Sequence, residues 1–327
     1  MRGQALQLAQ NQAMPISVIG ELDTELGELY AQAILALLDK AKVKPERVRA
    51  IGNHGQTVWH QPQGPVRFST QLGNPNIIAA RTGIVTIADF RRMDMAYGGQ
   101  GAPLAPAFHA AVFGSKSENR GILNIGGIAN LSFLNKHELV LGFDSGPGNM
   151  LMDGWIQENL QEPYDENGQW ASNGKVNEAL LETMLFAPYF IQKPPKSTGR
   201  ELFNLEWLQE KLRFTHQKIS ASDIQATLCE LTARSICEAI RLHSPIELDA
   251  VYVCGGGVNN RYLIERIRKL NADLKISSTT ELGIDPQWVE CGIFAWLAQQ
   301  RIHQQPIDLR KITGATQATL LGAIYSP

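Results

Sequence analysis

The chain has 327 residues, 44% hydrophobic and 19% charged, a globular mix long enough for two domains with full cores and unlike a disordered chain. Thirty basic against 32 acidic side chains leave a net charge of −2, so there is no electrostatic footprint for nucleic acid, and no apolar run is long enough to span a bilayer. The opening "MRGQALQLAQNQAMP" lacks the apolar centre of a signal peptide, and Cys229, Cys237, Cys254 and Cys291 have no metal-like spacing, so reduced, mostly buried thiols in a cytoplasmic protein are expected.

In chain order, apolar residues at Leu22, Leu26, Leu29, Ile34, Leu37 and Leu38 give residues 21–40 helical period, with Pro45 as the stop. "RVRAIGNHGQTVWH" reads as a strand running into a glycine turn. Ile84 to Ala88 is a second buried strand, followed by polar "DFRRMD" and the Gly-rich "YGGQGAP". "APAFHAAVF" has a helical pattern. "GILNIGGIANLSFLN" is the clearest hairpin, with two β-rich runs around Gly126-Gly127, a pair that permits positive φ. "ELVLGFD" is a third strand ending at Asp144. Residues 175–215 are mainly helical, broken by "QKPPKSTGRE". Ser222 and Gln225 fit a capping box before a helix on which Cys229 and Cys237 lie eight apart. "ELDAVYVCGGGVNNRYLIERIRKL" is strand, glycine turn, helix; "VECGIFAWLAQQRI" is a further helix. Alternating strands and helices with hairpins between them predict an α/β architecture with mixed sheets.

Four segments could carry chemistry, each with a plainer alternative. Gly255-Gly256-Gly257, between strand and helix, could bring amides to a phosphate or form a tight turn only; the spacing matches neither the dinucleotide fingerprint nor a Walker A loop. "NIGGIAN" is a hairpin turn whose flanking Asn124 and Asn130 could hold phosphate oxygens. Asp144, before "SGPG", is either a strand-end carboxylate facing a ligand or an Asx-turn. Asp89, Arg91, Arg92 and Asp94 could grip an acidic or hydroxyl-rich ligand or form a solvated ion cluster. His54 reads as a structural histidine before a base, and Glu290 as a favourable charge at a helix start.

Seven ordered motifs, "IGNHGQTVWH", "ADFRRMDMAYGGQGAPLAPAFH", "LNIGGIANLSFL", "FDSGPGNMLMDGW", "PKSTGRELFN", "VCGGGVNN" and "TGATQATLLGA", resemble the anhydro-N-acetylmuramic acid kinase family from about residue 20 to the end. The resemblance implies the acetate and sugar kinase, Hsp70 and actin superfamily. Its fold is α/β: two ribonuclease-H-like, actin-like ATPase domains with mixed sheets and an interdomain cleft. The expected division is 1–119 plus about 306–327 on the sugar side and 120–305 on the nucleotide side. The implied reaction consumes ATP, 1,6-anhydro-N-acetylmuramic acid and water, with Mg²⁺, and yields N-acetylmuramic acid 6-phosphate for peptidoglycan recycling. The resemblance assigns Asp144 as the base. It assigns Asn124, Gly126, Gly127, Asn130, Gly146, Gly148, Gly255, Gly256, Gly257 and Asn259 to ATP and phosphate, and His54, Gln56, Asp89, Arg92, Asp94, Gln100 and Glu290 to the sugar, with no protein metal ligand and a homodimer as the assembly. Ser145 stands where the family more usually has Thr. The sequence does not contain the family's opening "SGTS-(M/L)-DG" phosphate loop, so the expectation is an incomplete N-terminal domain with weak or no activity, and the alternative function is a non-catalytic sugar-binding protein.

Overall fold

The structure, a computed structural model, describes residues 2–9, 13–215 and 218–327. Its strands are β1 (Ile51–Gly52), β2 (Gln56–Gln61), β3 (Phe68–Leu72), β4 (Thr86–Ala88), β5 (Arg120–Ile125), β6 (Ile128–Asn135), β7 (Glu138–Pro147), β8 (Ala250–Cys254), β9 (Lys275–Ser278) and β10 (Ala323–Tyr325). The fold is α/β with mixed sheets, as expected. Two compact units form: Met1–Phe108 with Cys291–Pro327, and His109–Glu290. Among the described residues no helix is long and apolar enough to cross a membrane.

In the first unit β4 lies between β1, parallel, and β10, antiparallel, so the C-terminal segment returns to pair with a strand from the N-terminal part of the chain. β2 and β3 form a separate antiparallel ribbon. Val58 and Leu72 of that ribbon pack on Leu22 and Leu26 of the helix Ile16–Ala41. This helix starts earlier than its periodicity predicts. It also stops before Pro45: Lys42 is left-handed (φ 55°), and the Val43 amide donates to the Leu38 carbonyl, closing the last turn from within. Pro45 instead opens a short 3₁₀ turn, Pro45–Arg47.

The second unit carries one five-stranded sheet in the order β7-β6-β5-β8-β9. β5, β8 and β9 run parallel, and β6 is antiparallel to both neighbours. That is the ribonuclease-H-like order, and it places the ends of β5 and β8 side by side, with Asn124 opposite Cys254. Every residue of β8 is buried, as a central parallel strand requires. The core joins Leu123, Ile125, Leu131, Phe133 and Phe143 from the sheet to Leu228, Leu231 and Ile236 from the helix Ala221–His243. Cys229, Cys237 and Cys254 are free and buried, and Cys291 is free and exposed.

The capping box expected at Ser222 and Gln225 is not the one used. Ser220 caps the helix Ala221–His243 by accepting from the Asp223 amide at 3.2 Å, and Gln225 is buried, donating to Asp165 at 3.2 Å. The helix starts earlier because Ser220 is the last extended residue, whereas Ser222 already lies in the first turn. Ser220→Ala is therefore expected to cost about 1 kcal/mol in urea unfolding, and Ser222→Ala a few tenths at most.

Candidate active site

Asp144 lies within β7, not at its end. β6 keeps pairing as far as Ile128 with Pro147, and the register shifts between Ala129 and Asn130, so Ser145 bulges and its hydroxyl donates to the Ala129 carbonyl at 3.2 Å. The bulge turns the strand after Asp144, which explains why "SGPG" reads as a turn in the sequence. Asp144 is 8% exposed and faces Asn130 across the sheet. Its Oδ2 accepts from the Thr198 amide at 3.0 Å, its own amide donates to the Lys196 carbonyl at 3.2 Å, and its carbonyl accepts from the Tyr189 hydroxyl at 2.6 Å. The side chain thus bonds the backbone of a distant loop, "PKSTGR", well outside its own turn.

The glycine motifs of this unit meet at the carboxyl ends of β5 and β8, the place where α/β sheets bind ligands. The Gly126 carbonyl accepts from the Asn149 amide at 2.8 Å, and the Gly127 carbonyl from the Gly148 and Met150 amides at 2.8 and 3.2 Å. The hairpin tip is thereby tied to the start of the helix Met150–Leu160. Neither Gly126 nor Gly127 takes the positive φ that the pair permits. What the tip needs is close approach: a Cβ on Gly148 would collide with the Gly126 carbonyl. Gly255 does need its φ of +81°, and a Cβ there would collide with the Asn124 Oδ1 and sit 2.7 Å from the Ile125 carbonyl oxygen. Gly146, at φ +150°, faces Phe190. Gly256 and Asn259 are exposed and Gly257 is buried against Ile125. Asn260, the other asparagine of that motif, caps the helix Arg261–Leu270 by accepting from the Leu263 amide at 3.0 Å.

In the first unit, His54, Asp89 and Arg92 line one pocket of about 130 Å³ with Asn53, Ser69, Gln71 and Tyr325. Arg92 donates to Asp89 at 2.7 Å. His54 accepts on Nε2 from Arg91 at 3.0 Å and its ring lies tilted against Phe294; burial, aided by the Arg91 charge, pushes its imidazole down to about 3, so it stays neutral. Four expected sugar residues lie outside this pocket. Asp94 is 1% exposed, with Oδ1 accepting from Thr313 at 2.8 Å and Oδ2 from the Gly101 amide at 2.7 Å, so it braces the "YGGQG" loop. The Gln100 amide donates to the Thr313 carbonyl at 2.9 Å. Gln56 is exposed and its amide group donates to the Thr57 carbonyl. Glu290, in the second unit, is exposed in the first turn of the helix Val289–Ile302. Among the described residues no group of three or more His, Cys, Asp or Glu is placed to hold a metal ion.

Sequence reasoning assigned no role to Tyr189, Lys196 or Thr198, although "PKSTGRELFN" stood out as a motif. It also passed over Asp153 in "NMLMDGW". Burial pushes the Asp153 carboxyl up to about 6, opposed by Arg200 and assisted by Asp165. A carboxyl raised on folding supports the fold below its unfolded value and loses that support as pH rises through about 6. Asp153→Asn should therefore melt higher than the parent at pH 8, by about 1 kcal/mol after allowance for partial exposure, with the gap shrinking towards pH 5.

Comparison with known proteins matches this chain to one family. A sequence model of the anhydro-N-acetylmuramic acid kinase family matches residues 1–327. A protein of that name from Coxiella burnetii (strain RSA 493 / Nine Mile phase I) is 51% identical over 312 residues, 95% of this chain and 83% of the relative. One from Vibrio parahaemolyticus serotype O3:K6 (strain RIMD 2210633) is 48% identical over 326 residues, 100% of this chain and 88% of the relative. A solved ROK family glucokinase from Streptomyces griseus, in complex with glucose and AMPPNP, is 14% identical at a TM-score of 0.37 over 84% of this chain and 88% of that one, a likeness too slight to argue from.

Proposed function

The chain belongs to the anhydro-N-acetylmuramic acid kinase family, a sugar kinase family, and from that premise we propose that it transfers the γ-phosphoryl group of ATP to O6 of 1,6-anhydro-N-acetylmuramic acid while water opens the anhydro bridge. Asp144 takes a proton from water as the water oxygen bonds to the anomeric carbon. The bond from that carbon to O6 breaks, and O6 bonds to the γ-phosphorus as ADP leaves. The products are N-acetylmuramic acid 6-phosphate and ADP, which fits a role in peptidoglycan recycling.

The observation that carries this reading is the hold on Asp144: a carboxylate within β7, fixed by the Thr198 amide and flanked by the glycine turns at the ends of β5 and β8. Those turns, Gly126-Gly127, Gly148 and Gly255 to Gly257, are where we place the phosphates. Mg²⁺ enters with ATP as part of the substrate and offsets charge on the phosphoryl oxygens. On the sugar side we propose His54, Asp89 and Arg92, because they share one pocket. Gln71 and Asn53 of the same pocket join them, and Asp94 supports the loop beside them without facing the pocket. A homodimer and a cytoplasmic location follow from the family and are part of the same proposal.

The test is ADP release. Adding anhydro-N-acetylmuramic acid should raise ADP release, with N-acetylmuramic acid 6-phosphate appearing mole for mole. ADP release indifferent to the sugar would overturn the reading.

A further inference from the structure

Lys196 is an unusual residue to bury. It is 6% exposed, and its ammonium donates to the carbonyls of Tyr189 at 3.2 Å and Phe190 at 3.3 Å. The charge also lies over the rings of Tyr189, at 4.7 Å, and Phe143, at 5.7 Å. Taking an ammonium out of water costs several kcal/mol, and a neutral side chain of similar length would fill the same space. The residues around it point to what the charge is for. Tyr189 donates its hydroxyl to the Asp144 carbonyl, Phe143 precedes Asp144, the Lys196 carbonyl accepts from the Asp144 amide, and Thr198 donates to the Asp144 carboxylate. Of the groups that hold the ammonium, Tyr189 also bonds Asp144 and Phe143 precedes it in β7.

We infer that Lys196 is a positioning residue for Asp144, fastening the "PKSTGR" loop to the Tyr189–Phe190 backbone and placing a buried positive charge that acts on the carboxylate held ready to accept a proton. This rests on the reading of Asp144 as the base. Lys193, Arg200 and Glu201 also carry charge in this segment, whereas Tyr189 and His243, the other titratable groups coupled to Asp144 or Lys196, do not. Burial, with Asp144 and Glu201, pushes the Tyr189 phenol far up, so it is neutral. Burial, with Lys196 and Lys193, holds His243 below its ordinary range, so it too is neutral. Burial pulls the Lys196 amine down to about 8, and Asp144 pushes against that fall. The coupling is mutual: the same interaction favours the charged form of Asp144.

Two arms test the inference. In protein labelled with ¹³C-lysine, the Lys196 signal should titrate near pH 8 and move to lower pH in Asp144→Asn, because the carboxylate that supports the ammonium is gone. An unchanged midpoint would overturn the pairing, whatever the protein turns over. In ADP release, Lys196→Gln keeps N–H donors without the charge. It should lower kcat about tenfold, leave KM for ATP unchanged and move the acid limb of the pH profile to higher pH; Lys196→Arg should restore most of both. A Lys196→Gln protein that melts lower but keeps the parent's acid limb would show a structural lysine only and overturn the inference. Absence of sugar-dependent ADP release from the parent would instead sink the kinase reading, leaving the titration to judge the pair.

Discussion

Asp144→Asn is expected to lower sugar-dependent ADP release by about 10²- to 10⁴-fold or more and to leave ATP affinity unchanged. Asparagine keeps the shape of the side chain, and its amide oxygen can still accept from the Thr198 amide, as Oδ2 does now at 3.0 Å. The bonds through the Asp144 backbone, to Lys196 and Tyr189, do not involve the side chain and persist. What disappears is the capacity to take a proton. Coupled ADP-release assays and calorimetry with ATP on the same preparation separate the two effects. Turnover retained by a folded Asp144→Asn protein would remove Asp144 from the mechanism.

The second large effect is expected at Gly255. Alanine there meets two costs: φ of +81° lies where L side chains rarely sit, and the new Cβ would run into Asn124 and the Ile125 backbone. Strain and overpacking each cost about 1–3 kcal/mol, so Gly255→Ala should lose about 3 kcal/mol or more in urea unfolding. Because Asn124 and the end of β5 must move, ATP affinity should fall at least about tenfold, while sugar binding, which we place in the first unit, should survive. Gly256→Ala is the control: the nearest atom to its Cβ is the Asn149 Nδ2 at 4.0 Å, and its φ is not in the left-handed range. It should stay within about 0.5 kcal/mol of the parent. Equal losses from the two substitutions would show that the turn is not built around Gly255.

The elements with the strongest local signal match the structure closely. The helix Val289–Ile302 and the hairpin strands β5 and β6 fall where pattern placed them. The weaker elements differ where a tertiary contact outweighs local preference. β7 runs past Asp144 because β6 continues to offer a partner through Ile128. The helix at Ala221 begins with Ser220 because that is the last residue in extended conformation, a choice between two good capping serines that spacing cannot make. In the first unit, Asp89 and Arg92 pair in the pocket while Asp94, from the same "DFRRMD" run, turns inward to Thr313, more than two hundred residues away in sequence.

By itself the sequence determined the α/β class, the order of strands and helices, the hairpin and the motifs that identify the family. All of these depend on neighbours within a few positions, where side-chain period and turn chemistry act. The tertiary structure alone decided which segments meet. It brought β10 back onto β4, set the glycine turns after β5 and β8 side by side, and laid the "PKSTGR" loop against Asp144. Nothing local to Asp144 names Lys196, Thr198 or Tyr189, because the bonds that hold the carboxylate form only after the second unit's sheet and helices have packed. The Asp144 carboxylate accepts from a loop residue, Thr198, 54 positions away, a contact that packing makes and local spacing does not name.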